Sequence, residues 1–91
     1  ISAADGSRVK VNSTKVSQST TAVVSKGSSI IDISYIEIRN CQRGFTIFKG
    51  KPELGSSEIN VENYQAVGHK YLHNIEPGSI LRLRGKLVKG S

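Results

Sequence analysis

Tryptophan and methionine are missing from the 91 residues, and the aromatic side chains are only three Tyr and two Phe. That leaves little for stacking bases or sugar rings. Cysteine occurs once, at Cys41, which excludes an internal disulfide and a multi-cysteine zinc site. A small filler at the edge of a core is the role expected of it. Acidic residues are few, seven against 13 Lys and Arg, for a net charge of +6. The excess favours polyanions such as nucleic acid, anionic lipid or acidic polysaccharide without choosing among them. No basic run forms an arm or a polybasic tail. No apolar run approaches the ~18 residues of a membrane-spanning helix, and no stretch keeps a helical apolar period. His69 and His73 stand four apart with no carboxylate or thiol pattern to complete a metal site, so they read as surface histidines. No glycine-rich phosphate-binding motif is present, so no cofactor is expected.

What is present is one short pattern, four times. Gly6-Ser7-Arg8-Val9-Lys10-Val11 is the first copy and Gly27-Ser28-Ser29-Ile30-Ile31-Asp32-Ile33 the second. Gly55-Ser56-Ser57-Glu58-Ile59-Asn60-Val61 and Gly78-Ser79-Ile80-Leu81-Arg82-Leu83 are the third and fourth. Each is a Gly-Ser turn followed by apolar residues two apart, the period of a strand with one wet face. A turn-and-strand unit restarting every 20 to 30 residues or so is the signature of stacked repeats. Tyr35 to Arg39 and Phe45 to Phe48 add two further strand-like segments to the second copy. The expected architecture is therefore all-β: a short right-handed parallel β-helix, or solenoid, of three to four coils with three short strands each. Its hand is taken from the general preference of parallel crossovers. Residues 1–91 form a single domain. The start at Ile1 and not Met predicts a processed or excised piece of a longer parent.

Aligned on their turns, the copies place Val9, Ile31, Ile59 and Leu81 in one inward column and Val11, Ile33, Val61 and Leu83 in the next. Lys10, Asp32, Asn60 and Arg82 form the outward column between them. Terminal coils would expose strand edges, which predicts self-association with a second copy. The basic Arg82, Arg84, Lys86 and Lys89 are placed to blunt one end.

Val24 to Ser28, Ile36 to Gly44 and the run Phe48-Lys49-Gly50-Lys51-Pro52-Glu53-Leu54-Gly55 are the most distinctive stretches. They resemble the C-terminal right-handed β-helix segment of bacterial surface proteins that carry a CotH-like kinase or a lamin-tail domain. Leu54 stands where that family has an aromatic. The resemblance implies a β-helix and an extracellular or cell-surface location. Its motif is a turn and implies no catalytic residue.

No catalytic constellation emerges. Asp32 is the only carboxylate in the outward column, with Glu58 and Glu62 nearby, whereas sugar-acid chemistry needs a carboxylate pair or cluster. Binding, if any, falls to Lys10, Asp32, Asn60 and Arg82, with Tyr35 as a stacking surface. Asn40 and Asn63 are expected at equivalent corners as an amide ladder. The reading favoured by the sequence is a non-catalytic structural or adhesive segment of a bacterial surface or secreted protein, with polysaccharide as a candidate partner. The alternatives are a fragment of a carbohydrate-active enzyme and, less favoured, a small basic nucleic-acid-binding domain.

Overall fold

A computed structural model of the protein describes residues 1–49, 53 and 55–89. Most of the Lys51-Pro52-Glu53-Leu54 turn that carries the family resemblance, together with Gly50 and Gly90-Ser91, lies outside these residues. Among them the elements are β1 (Ser2–Ala3), β2 (Arg8–Ser17), β3 (Thr21–Ser25), β4 (Ile30–Arg39), β5 (Arg43–Ile47), β6 (Glu58–Val67), β7 (Tyr71–Ile75), β8 (Ile80–Leu83) and β9 (Lys86–Lys89). There is no helix among the described residues, and so none that is long and apolar enough to cross a membrane.

The strands form two sheets, one in the order β1-β3-β5-β7 and one in the order β2-β4-β6-β8-β9. The first is parallel throughout. The second is parallel except for β9, which runs antiparallel to β8. The Cα radius of gyration is 11.8 Å and the extents are 36 × 26 × 23 Å, against about 12 Å expected of a compact chain of this length.

This corrects the expected right-handed parallel β-helix of three-strand coils: the chain is a compact two-sheet globule with one parallel and one mixed sheet. Two local features account for the difference. First, the segments read as separate first and second strands are continuous ten-residue strands. Along β4, Ile31 and Ile33 are buried, then Ile36 and Ile38, so the inward face shifts by one residue at Ser34-Tyr35 without a turn. The pairing skips that point between β2 and β4 and again between β4 and β6. Second, the chain does not begin another parallel layer after β8. Arg84 and Gly85 both have positive φ, 53° and 79°, the conformation of a two-residue hairpin turn, and β9 returns along β8.

The register follows the Gly-Ser alignment. Val9 pairs with Ile31, Ile31 with Ile59, and Ile59 with Leu81. Ile31, Ile36, Ile38, Phe45, Ile47, Ile59 and Leu81 are fully buried, each aliphatic one contributing about 1.5–3 kcal/mol. After the first three glycines a serine hydroxyl bonds at the turn, whereas in the fourth copy the buried Ser79 Oγ has no partner among the described residues. Ser29 is fully buried, donates to the Ala3 carbonyl at 2.9 Å, and accepts from the Lys26 amide at 3.1 Å. Ser57 accepts from the Ser28 amide at 3.0 Å. Cys41 is buried at the corner following β4, as a filler would be.

The expected Asn40–Asn63 ladder does not form. Asn40 occupies the corner shared with Gln18 and Gly68, all three with positive φ; the Gln18 amide bonds the Arg39 carbonyl and the Asn40 amide the Val67 carbonyl. Asn63 lies elsewhere, in register with Tyr35.

Candidate functional site

The first halves of β2, β4 and β6, together with β8, present one wet face. Alternation along each strand puts Val, Ile or Leu inward and a polar residue outward between them. Parallel register then brings the outward residues into a row, with Lys10 opposite Asp32, Asp32 opposite Asn60, and Asn60 opposite Arg82. Four of the five residues singled out from sequence therefore meet. They line a groove of about 560 Å³ together with Arg8, Asn12, Ser34, Glu62 and Gly85 of the hairpin turn. Tyr35 does not join them. It follows the shift in the inward face, is half-buried, and lies beside Ser13 and Asn63.

Within the row the polar groups satisfy one another. Arg8 bonds Asp32 Oδ2 through Nε at 3.2 Å and through its terminal nitrogen at 3.1 Å. Asn60 Nδ2 donates to Asp32 Oδ1 at 2.9 Å. Arg82 donates to Asn60 Oδ1 at 3.0 Å and reaches Glu58 Oε2 at 3.4 Å. The Arg8 side chain is 62% exposed and the half-buried Asp32 29%, so each pair contributes about 0–1 kcal/mol. Their main effect is to fix side-chain positions. Lys10 is the exception: among the described residues it has no hydrogen-bond or ion-pair partner, because Arg8 and Asn60 already hold the two oxygens of Asp32.

The row can hold an anionic group but is poorly arranged for acid–base chemistry. A glycosidase pair needs one carboxyl free to deliver a proton and a second free to act as base or nucleophile. Of the two carboxylates lining the groove, Asp32 has both oxygens engaged. The cations Arg8, Lys10 and Arg82 outnumber the carboxylates Asp32 and Glu62. Arg8 was not singled out from sequence, although it precedes Lys10 by two residues and so shares its face. Asn12 and Ser34 were also missed, because they sit where the inward face shifts.

Two other places bear on function. Tyr64 meets Phe45 edge-on at 6.0 Å between ring centroids, and the Arg84 guanidinium lies 4.6 Å from the Tyr64 ring centroid while donating to the Tyr64 carbonyl at 2.9 Å. A second, smaller pocket of about 250 Å³ is lined by Arg43, Tyr71, His73 and Asn74 on β5 and β7. No group of three or more His, Cys, Asp or Glu among the described residues could hold a metal ion. His73 is exposed and His69 half-buried, with its Nδ1 covered and unpartnered. Comparison with protein families, with curated proteins and with solved structures finds no match to the chain, so the resemblance to the bacterial surface proteins rests on the residues that carry it.

Proposed function

We propose that this chain is a non-catalytic adhesive domain of a bacterial surface or secreted protein, and that its groove takes an acidic polysaccharide. The observation that supports this reading is the closed polar row, in which Asp32 is fully engaged while Lys10 is left unpaired at the groove. Lys10 would meet the carboxylate or sulfate of an acidic sugar residue. The Asn12 amide and the Ser34 hydroxyl are suited to the ring hydroxyls beside it. Among the described residues the groove lacks an aromatic side chain, which disfavours single-stranded nucleic acid. The surface location follows the resemblance of the turn-bearing residues.

The test is to offer polygalacturonate, alginate and neutral dextran to the protein. Retention on the two acidic polymers is expected, lost in about 0.5 M salt where surface charges are screened, with no new reducing ends and no unsaturated product. Product formation on any polymer would favour a carbohydrate-active enzyme instead, and equal retention on dextran would remove the charge-based reading.

A further inference from the structure

Among the described residues the outer edge of β7 is an unpaired strand edge whose ends carry opposite charges. β7 is, among the described residues, the last strand of its sheet and pairs only with β5. Backbone groups alternate sides along a strand, so the residues that bond β5 identify those that face away. The Lys70 and Tyr71 amides both bond the Gln42 carbonyl, at 3.1 and 2.9 Å, and the Glu76 amide bonds the Ile47 carbonyl at 3.0 Å. Beyond Tyr71, whose N–H is held by β5, the even-numbered residues up to Glu76 face β5, and the N–H and C=O of His73 and Ile75 face outward. Tyr71 is half exposed on this edge, and His73 and Asn74 are exposed.

We infer that β7 pairs antiparallel with β7 of a second copy about a twofold axis at His73. That register places His73 opposite His73, Tyr71 opposite Ile75, and Lys70 opposite Glu76, the last pair occurring twice by symmetry. The outward N–H and C=O of His73 meet those of the partner's His73, whereas the Tyr71 N–H opposite Ile75 is already held by the Gln42 carbonyl. Lys70 and Glu76 are both exposed, and Lys70 leans over the Tyr71 ring at 5.6 Å from its centroid. Opposite charges at the two ends of one strand are complementary only in the antiparallel arrangement; a parallel pair would set like against like. The other sheet cannot supply the contact by adding another parallel layer. β8 already occupies the first half of β6, and β9 covers β8, so a second copy's ten-residue β2 cannot lie along β6.

A pairing of five-residue strands is a small interface, expected to be weak and reversible. Sedimentation equilibrium of the full chain up to about 1 mM should show a concentration-dependent dimer. His73→Pro removes an outward N–H and leaves the β5 ladder intact, a place where an edge strand accepts proline. It should give a monomer with unchanged circular dichroism. Lys70→Glu should weaken the dimer about tenfold by reversing two exposed charge pairs, and adding Glu76→Lys should restore it to within about threefold. If His73→Pro does not fold, the charge exchange decides alone. A single monomeric species up to about 1 mM, a dimer indifferent to a folded His73→Pro, or a double variant no tighter than Lys70→Glu would each overturn the inference.

Discussion

Glu37 is held by two cations, Lys15 at 3.2 Å and Arg39 at 3.1 Å, with only 17% of its side chain exposed. The Arg39 hydrogen bond, then that of Lys15, lowers its carboxyl below the ordinary 4.5. A carboxyl depressed in the folded state contributes stability that is fully present above its unfolded value and is lost as pH falls through the folded one. Thermal melts should therefore show stability declining from about pH 5 downward. Glu37→Gln should make that decline shallower than in the parent protein, and an identical slope would contradict the assignment. Gly44 is decided by a close approach: a Cβ there would lie 2.5 Å from the Leu72 carbonyl oxygen of the neighbouring strand. That atom belongs to backbone and cannot swing aside. Gly44→Ala should cost about 1–3 kcal/mol in a urea titration, and a neutral effect would place β7 farther from β5 than it is here.

At the scale of elements, the Gly-Ser turns were legible because three cues coincide: a glycine, a serine able to bond the turn, and apolar residues two apart. The pairing of Val9, Ile31, Ile59 and Leu81 follows from them. The joining of two segments into β4 was not legible. The apolar phase changes between Ile33 and Ile36 just as it would across a turn, and only the continuous backbone distinguishes the two cases. Tyr35 was misplaced for the same reason, since its face follows the second half of β4. The β8–β9 hairpin did leave a signal, Arg84-Gly85 between two apolar segments, which alignment on a fourth parallel layer obscured. Its energetics are mixed. Arg84 sits at a positive φ that disfavours it, yet its guanidinium covers the Tyr64 ring and closes an edge carbonyl. Gly85 has only the conformational role, at φ 79° with open space where a Cβ would be. Gly85→Ala should therefore cost about 1–2 kcal/mol through backbone strain alone. Amide exchange in β9 should quicken more than in β4. Equal quickening in both would mean that β9 does not open separately.

For the whole molecule, a net charge of +6 favours polyanions in general, and the proposed reading makes the groove the place where one is held. Charge count and the outward row were both readable from sequence. The engagement of Asp32 by Arg8 and Asn60 was not, because it depends on which neighbours the register brings alongside. On the proposed reading, that engagement marks the groove as a binding surface and not a catalytic one. The most direct check is an amide chemical-shift titration of the intact protein with trigalacturonate, with the neutral trisaccharide as control. Shifts confined to Lys10, Asn12, Ser34 and their cross-strand neighbours are predicted, weakened about fivefold or more by Lys10→Glu as one charge-assisted contact turns repulsive and absent with the neutral sugar. An unchanged spectrum, or shifts centred on β5 and β7 instead, would contradict the account.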